Sequence, residues 1–224
     1  MNIQVIIVAA GSGIRFRSKT PKPFVLLRGR PLIAHSLKNF ERCGRINGII
    51  VVGHKDLLGR FEALCRSFKK VRAIVAGGKM RADSVKCGLK VLDADTDIVL
   101  VHDAARPLVD GAMIERLLAA LRQNKAAIVA VPVKPTIKKV NPKTLTVEET
   151  LQRDLLWEVQ TPQGFHKDIL IKAHAKAGTS TTFEATDDAM LVEKLGIKVK
   201  VVMGDYRNIK ITTPEDLKIT QALL

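Results

Sequence analysis

Cysteines, aromatic residues and long apolar runs are all scarce in this chain of 224 residues. The longest apolar runs, residues 5–10 and 126–133, are far too short to cross a bilayer. Three widely spaced cysteines, Cys43, Cys65 and Cys87, fit neither a disulfide framework nor a zinc site. No basic stretch precedes an apolar run at the N-terminus. We therefore expect a cytoplasmic protein with reduced thiols, outside the membrane and the secretory route.

Acidic residues are missing from the first 40 positions, which carry seven basic residues. Over the whole chain, 37 Lys and Arg face 22 Asp and Glu, so the formal net charge is +15. Such a charge suggests polyanionic partners, either nucleic acid or phosphorylated small molecules. Aromatic residues make up only 4% of the chain and leave few platforms for base stacking. A nucleic-acid-binding module is therefore the lesser alternative.

Apolar segments rich in Val and Ile alternate with amphipathic segments, which predicts repeated βα units. The predicted strands span residues 3–10, 48–53, 71–76, 98–102 and 126–133, and the predicted helices span residues 32–42, 56–68, 82–92 and 110–124. Little polar alternation within the strands suits a parallel sheet that is covered on both faces. We expect an α/β fold, a Rossmann-like doubly wound and mostly parallel sheet that binds ligands at the carboxyl ends of its strands.

The βα rhythm stops after Val133, where residues 135–150 predict a β-hairpin with its turn at Asn141-Pro142-Lys143. A lone hairpin is marginally stable in water, so we expect it to pack on something, and a second subunit is a good candidate. The remaining chain predicts a short strand near Trp157, helices over residues 167–177 and 186–195, and a strand over residues 197–203. A last helix begins at Thr213-Pro214, with Thr213 as its N-cap.

A loop of small residues, Ala10-Gly11-Ser12-Gly13, follows the first predicted strand. It matches neither the dinucleotide fingerprint, which needs a small residue where Phe16 stands, nor a P-loop. Its backbone N–H groups can still approach an anion, with Arg15 and then Lys22 close behind. The prolines on both sides of Lys22 restrict that backbone. An ordinary tight turn beside solvated basic side chains is the alternative interpretation.

Further motifs follow this loop in a fixed order. They are Gly77-Gly78-Lys79-Met80-Arg81-Ala82-Asp83-Ser84-Val85, then Val101-His102-Asp103-Ala104-Ala105-Arg106-Pro107, Thr161-Pro162-Gln163-Gly164-Phe165 and Asn208-Ile209-Lys210-Ile211-Thr212-Thr213-Pro214-Glu215-Asp216-Leu217. Together they cover nearly the whole chain and closely resemble the 2-C-methyl-D-erythritol 4-phosphate cytidylyltransferase family. The sister family, ribitol-5-phosphate cytidylyltransferases, shares the loop, the Pro-Lys pair and the Asn-Ile-Lys segment, and is the alternative.

The resemblance implies transfer of CMP from CTP to 2-C-methyl-D-erythritol 4-phosphate, with release of pyrophosphate. It implies catalytic roles for Arg15 and Lys22 on the triphosphate, and for Arg153 and Lys210 on the attacking phosphate. The implied nucleotide-binding residues are Ala10, Gly11, Ser12, Gly13, Gly78, Ser84, Asp103 and Ala104. The implied residues on the side of the second substrate are Arg106, Thr136 and Thr161.

The same resemblance implies one cytidylyltransferase domain over residues 1–224, with residues 134–154 inserted as a β-arm that clasps the partner of a homodimer. Thr136 and Arg153 would then reach the other subunit's site. Mg²⁺ or another divalent cation would be held mainly by substrate phosphates, with Asp103 as the named protein ligand.

Several of these residues also have a purely structural interpretation. Thr161 could belong to a turn, Asp103 could cap a loop, and Arg153 could form a surface ion pair of little consequence. The chain also departs from the family pattern at Lys79-Met80, at Pro135 and at Gly164. A nucleotide-binding regulator without activity is a further alternative, which the intact Arg15, Lys22 and Lys210 oppose.

We predict that Arg15→Ala or Lys22→Ala loses most of the turnover while the fold stays intact. Each change removes positive charge that is felt most strongly in the crowded, more negative transition state. Pyrophosphate release measures the turnover, and circular dichroism monitors the fold. Turnover near the wild-type value in both variants would contradict the assignment.

Overall fold

The structure is a computed structural model that describes residues 1–11, 16, 18, 20–177 and 185–224. A seven-stranded sheet forms its centre. Its strands are β1 (Asn2–Ala9), β4 (Gly48–Gly53), β5 (Val71–Ala76), β6 (Thr96–Asp103), β7 (Ala126–Pro132), β10 (Trp157–His166) and β11 (Lys200–Met203). Two short pairs complete the described strands, β2 (Leu26–Leu27) with β3 (Arg30–Pro31), and β8 (Lys138–Val140) with β9 (Val147–Thr150).

The order of the strands in the sheet is β11-β7-β10-β6-β1-β4-β5. Neighbouring strands are parallel except at β10, which runs antiparallel to both β6 and β7. The chain first builds outward from β1 to β4 and β5, and then crosses to the other side of β1 at β6. This change of direction places a crevice at the carboxyl ends of β1 and β6, where open α/β sheets bind ligands.

Helices cover both faces of the sheet, as the alternating sequence pattern predicted. The helices are α1 (Leu32–Arg42), α2 (Leu58–Cys65), α3 (Arg81–Leu89), α4 (Gly111–Leu121), α5 (Lys167–Ala177), α6 (Asp188–Glu193) and α7 (Pro214–Leu223). One core cluster joins the apolar sides of α1, α2 and α4 to the sheet, and a second cluster joins those of α3, α5 and α6. Within the described residues, no helix is both long and apolar enough to span a membrane.

Strand β10 differs most from the sequence-based expectation, because a short strand was expected near Trp157 and ten residues are found. Polar residues interrupt its apolar pattern, yet Gln160, Thr161 and Gln163 are all buried. Their side chains find partners there: Gln160 donates to the Asp205 carbonyl at 2.9 Å, and Gln163 donates to the Asp187 carboxylate at 2.7 Å. Buried polar side chains therefore lie in the middle of the sheet, and hydrogen bonds to the rest of the protein compensate for their burial.

Gly164, a departure from the pattern of the family that the sequence resembles, lies in β10 at a position where no side chain fits. A Cβ at this position would lie 2.5 Å from Leu121 Cδ1 and 3.0 Å from Leu100 Cδ2, and both leucines are buried. The space that a larger residue would need is filled by leucines of α4 and β6. The glycine is therefore matched to the packing of this core.

The termini of several helices follow from capping groups. Asp110 accepts from Met113 N at 2.7 Å at the start of α4, and Asp187 accepts from Met190 N at 2.9 Å at the start of α6. At α7, Thr213 and Asp216 form the reciprocal capping box that the sequence predicted. The helix expected over residues 56–68 is instead a 3₁₀ turn, Lys55–Leu57, followed by the shorter α2.

The predicted hairpin is present as β8 and β9, which pair antiparallel in a sheet of their own. None of the residues from 132 to 159 is buried. Apolar side chains are nevertheless frequent here, with Leu145 80% and Leu155 71% exposed. The hairpin region therefore presents apolar surface to its surroundings.

Candidate functional site

A cavity of about 980 Å³ opens at the carboxyl ends of β1, β4, β5 and β6. It is lined by loop residues that follow each strand and by the segment ahead of α7. Eight of the residues predicted from the sequence lie in its lining, namely Ala10, Gly11, Lys22, Gly78, Ser84, Asp103, Ala104 and Lys210. The sequence motifs therefore converge on the crevice that the topology creates.

Asp103, the last residue of β6, is the one carboxylate in the described lining of this cavity. Lys210 Nζ lies 2.6 Å from its Oδ2, and Arg81 Nε lies 3.1 Å from its Oδ1. Burial alone would raise the pKa of this carboxyl group, but the two cations together hold it well below its usual range. Asp103 is therefore ionised at neutral pH and fixes the position of Lys210.

Arg81 extends this contact into the protein interior. Its Nη1 donates to Asp188 Oδ2 at 2.6 Å, and Asp188 Oδ1 lies 2.9 Å from His174 Nε2. Burial raises the pKa of Asp188, but Arg81 and His174 outweigh it and leave the pKa lowered. A continuous chain of charged and polar contacts, Lys210–Asp103–Arg81–Asp188–His174, thus links the cavity to α5 and α6.

Lys22 reaches the cavity from a rigid segment. Pro21 precedes a 3₁₀ turn, Lys22–Phe24, whose Pro23 and Phe24 are buried. Burial alone would raise the pKa of Asp216, but the N–H groups of Thr213 and Thr212, which donate to its carboxylate, lower this pKa, and the charge of Lys22 lowers it further. The start of α7 and the Lys22 segment therefore border the same side of the cavity.

The glycine pair after β5 allows two loops to approach each other closely. A Cβ on Gly77 would lie 2.4 Å from Ala10 Cβ and 2.7 Å from Ser84 Oγ, and one on Gly78 would lie 2.3 Å from Asp83 Cβ. Side chains at these positions would push the loop after β1 away from the start of α3. The small residues therefore narrow this end of the cavity and leave backbone groups accessible.

Arg106 and Thr161 do not line the cavity but form hydrogen bonds with the backbone of segments beside it. Arg106 is 6% exposed and donates to the carbonyls of Asn208 at 2.7 Å and Val159 at 3.1 Å. Thr161 Oγ1 accepts from Asp103 N at 3.1 Å and lies 3.0 Å from His102 Nδ1. Burial lowers the pKa of His102 to about 4, so its ring is neutral. In this structure Arg106 and Thr161 hold the segment that carries Lys210 and the end of β6, where Asp103 lies.

Thr136 and Arg153 are exposed residues flanking β8 and β9, and neither lines the cavity of its own chain. Arg153 Nη1 donates to the Lys134 carbonyl at 3.0 Å, so the structure shows no ion pair between Arg153 and its neighbour Asp154. Three further predicted residues, Ser12, Gly13 and Arg15, lie outside the described residues.

Sequence reasoning missed two residues of this site, Arg81 and Asp188. Arg81 stood in a quoted motif without a role, and Asp188 in a segment with no motif. Their contact joins positions 107 residues apart, so no local pattern could reveal it. The sequence offered one signal, which concerned Arg81: this arginine lies after the Gly77-Gly78 loop and at the start of a predicted helix.

Comparisons with known proteins agree on one family. The family model described as 2-C-methyl-D-erythritol 4-phosphate cytidylyltransferase matches residues 3–224. A relative of that name from Alkaliphilus oremlandii is 46% identical, covering 98% of this chain and 94% of the relative. A solved 4-diphosphocytidyl-2C-methyl-D-erythritol synthase from Anaerococcus prevotii has a TM-score of 0.87 at 35% identity, covering 99% of this chain and 97% of that one. The Francisella tularensis cytidylyltransferase has a TM-score of 0.85 at 32% identity, with full coverage of both chains.

The buried carboxylates predict how stability depends on pH. Because their pKa values are lowered in the folded state, they contribute stability above about pH 4 that is lost as the pH falls through the folded values. We expect Asp188→Asn to lower the free energy of unfolding at pH 7 by about 3 kcal/mol, since it leaves Arg81 poorly compensated. Its stability should also depend less on pH between about pH 5 and pH 2 than that of the wild type.

Urea unfolding followed by circular dichroism measures both quantities. Asp95→Asn, a change at an exposed aspartate, is the matched control and should keep the wild-type pH dependence. An Asp188→Asn protein with the wild-type slope in acid would contradict the role given to this ion pair.

Proposed function

This chain belongs to the 2-C-methyl-D-erythritol 4-phosphate cytidylyltransferase family, and we propose that the cavity at the carboxyl ends of β1, β4, β5 and β6 is its active site. The protein is a nucleotidyltransferase that transfers CMP from CTP to 2-C-methyl-D-erythritol 4-phosphate in isoprenoid precursor biosynthesis. The products are 4-diphosphocytidyl-2-C-methyl-D-erythritol and pyrophosphate. The main observation that supports this position for the active site is that Lys22, Lys210 and Asp103 all line one cavity of about 980 Å³.

The chemistry of this transfer explains why a cavity rich in cations is suitable. A phosphate monoester with a second pKa of about 6 is already mostly ionised at neutral pH, so its attack needs no general base. The barrier comes from bringing this dianion in line with the α-phosphate of another polyanion. Catalysis therefore consists of neutralising charge and fixing geometry, which lysines on rigid segments provide.

We assign Lys22, together with Arg15, to the triphosphate and to the charge that grows at the α-phosphorus. Lys210 positions the attacking phosphate. Its bond to Asp103 at 2.6 Å holds the ammonium group in place before substrate arrives, and an incoming phosphate oxygen can share the remaining N–H groups. Asp103 thus orients a cation that the reaction needs.

We place the nucleotide along the two loops that approach each other at Gly77. Gly78 and Ser84 would lie at the cytosine, where the absence of large side chains leaves backbone groups free to contact the base. The loop containing Ala10, Gly11, Ser12 and Gly13 would contact the phosphates, and Asp103 and Ala104 the sugar. Arg106 and Thr161 would act on the second substrate's side by holding these loops.

Nucleotidyltransferases generally depend on a divalent cation, and we propose Mg²⁺ here. Asp103 supplies the only carboxylate in the described cavity lining, and no group of three or more candidate ligands occurs among the described residues. This donor set fits an ion that takes most of its ligands from substrate phosphates. When bound, the ion would offset negative charge on those phosphates.

We propose that the whole chain, residues 1–224, is one cytidylyltransferase domain and that residues 134–154 are a dimerisation arm inserted in it. Exposed apolar side chains on and beside this arm support the proposal, namely Val140, Leu145, Val147, Leu155 and Trp157. Apolar surface of this kind marks interaction sites. Thr136 and Arg153, which do not line the cavity of their own chain, would then serve the partner's site. With three free cysteines, a reducing cytoplasmic location is consistent with this assignment.

The substrate preference has a direct test. We expect strong pyrophosphate release with CTP, Mg²⁺ and 2-C-methyl-D-erythritol 4-phosphate, and little with ribitol 5-phosphate. Turnover with ribitol 5-phosphate alone would agree with the same mechanism, but it would assign the protein to the sister family, the ribitol-5-phosphate cytidylyltransferases. Salt-sensitive retention on DNA without turnover on either alcohol phosphate would favour the nucleic-acid alternative.

The arm gives a second prediction. Replacing residues 137–150 with a short Gly-Ser linker should yield a monomer in light scattering and reduce turnover, because Thr136 and Arg153 would no longer reach a partner's site. Thr144→Ala, at the exposed tip of the hairpin, is the control and should remain a fully active dimer. Full activity in a truncated monomer would contradict the proposed role of Thr136 and Arg153 in the partner's active site.

A further inference from the structure

A second concave region lies away from the active site, between α1, the segment after β6 and the end of α7. Its volume is about 540 Å³. Its charged lining residues are Arg28, Arg30, Lys38, Arg42, Asp110 and Arg207. We name it the α1 groove. None of these residues lines the cavity assigned to catalysis.

Positive charge dominates the α1 groove. Among the described lining residues, five are Lys or Arg, whereas Asp110 is the one acidic side chain. The Asp110 carboxylate already accepts from Met113 N at the start of α4. Arg207 is paired with Asp205, and Arg28 donates to the Gln221 carbonyl at 3.0 Å. Two of the five cations therefore have a partner in the protein.

The other three cations, Arg30, Lys38 and Arg42, form no ion pair with any residue that the structure describes. All three line the same groove, and the positive charges of Arg30 first and then Arg42 lower the pKa of Lys38. Lys38 and Arg42 are also four residues apart on α1, where like charges destabilise a helix. An anion bound between them would relieve this repulsion.

The shape and the remaining lining indicate the size of that anion. A volume of about 540 Å³ falls within the range of small-molecule sites, roughly 300–1,000 Å³. Apolar side chains, Leu108, Val109 and Leu223, lie beside the charges and could contact an organic group. A nucleic acid strand would instead need an open charged track with stacking aromatics, and His35 is the one aromatic side chain in the part of the groove lining that the structure describes.

We propose that the α1 groove is a second anion site that binds a phosphorylated small molecule with two or more phosphate groups. Arg30, Lys38 and Arg42 contact the phosphates, and the apolar side chains contact the rest of the ligand. The catalytic assignment and this site are independent, since their described linings have no residue in common.

Inorganic tripolyphosphate is a suitable probe, measured by titration calorimetry on the full chain with saturating CTP and Mg²⁺ to occupy the active site. We expect one binding event per chain that remains under these conditions. It should weaken at least about tenfold in Lys38→Gln/Arg42→Gln, because two charge-assisted contacts are lost. Arg30→Gln, a change in the β2–β3 hairpin, provides a second variant should the helix variant fail to fold.

Lys172→Gln/Lys176→Gln removes the same charge at the same spacing on α5 and is the matched control. It should bind tripolyphosphate like the wild type, and all variants should release pyrophosphate at the wild-type rate. The proposal would be overturned by absence of the binding event, by equal weakening in the control, or by unchanged affinity in the α1 variants. If a 20-nucleotide DNA bound more tightly than tripolyphosphate and this binding were lost in the same variants, the proposal that the ligand is a small molecule would be overturned.

Discussion

The chain of contacts from Lys210 through Asp103, Arg81 and Asp188 to His174 is the constraint on which the site depends. Asp188 is fully buried and Asp103 is 7% exposed, so neither carboxylate could remain ionised without the cations between and beside them. Buried ion pairs lose much of their attraction to desolvation, and their main effect is the penalty for breaking them. The end of β6, the starts of α3 and α6, helix α5 and the segment that carries Lys210 are therefore strongly held in one arrangement, although they are distant in sequence.

A second layer of hydrogen bonds, which begins at the Arg106 guanidinium, connects this chain of contacts to the sheet. Arg106 holds the Asn208 carbonyl, Asn208 Nδ2 donates to the Thr161 carbonyl at 2.9 Å, and Thr161 accepts from the Asp103 backbone. The segment that carries Lys210 has no regular secondary structure, yet through these contacts it is attached to β6 and β10. A flexible lysine is thereby placed by rigid elements, which is what charge stabilisation at a fixed phosphorus requires.

The sequence predicted the elements whose apolar pattern is regular and failed where polar groups are buried. The bounds of α1, β4 and β5 agree with the expectation because their periodicity is uninterrupted. Strand β10 was underestimated because Gln160 and Gln163 resemble loop residues until their partners in the fold are known. Motifs located Asp103 and Lys210 individually. The bridge through Arg81 could not be predicted, because it depends on how α6 packs against the start of α3.

The excess of positive charge divides into two physically different groups. In the active site, Arg81 and Lys210 already share Asp103, so a substrate phosphate meets cations that are fixed in position and partly neutralised. Geometry there should matter more than net charge. In the α1 groove, Arg30, Lys38 and Arg42 form no ion pair with a described carboxylate, and the two arginines are exposed, so attraction there is screened within roughly 10 Å at ordinary ionic strength. Binding in the groove would therefore be far more sensitive to salt than binding in the active site, although the same basic N-terminal segment supplies Lys22 to one and Arg30 and Lys38 to the other.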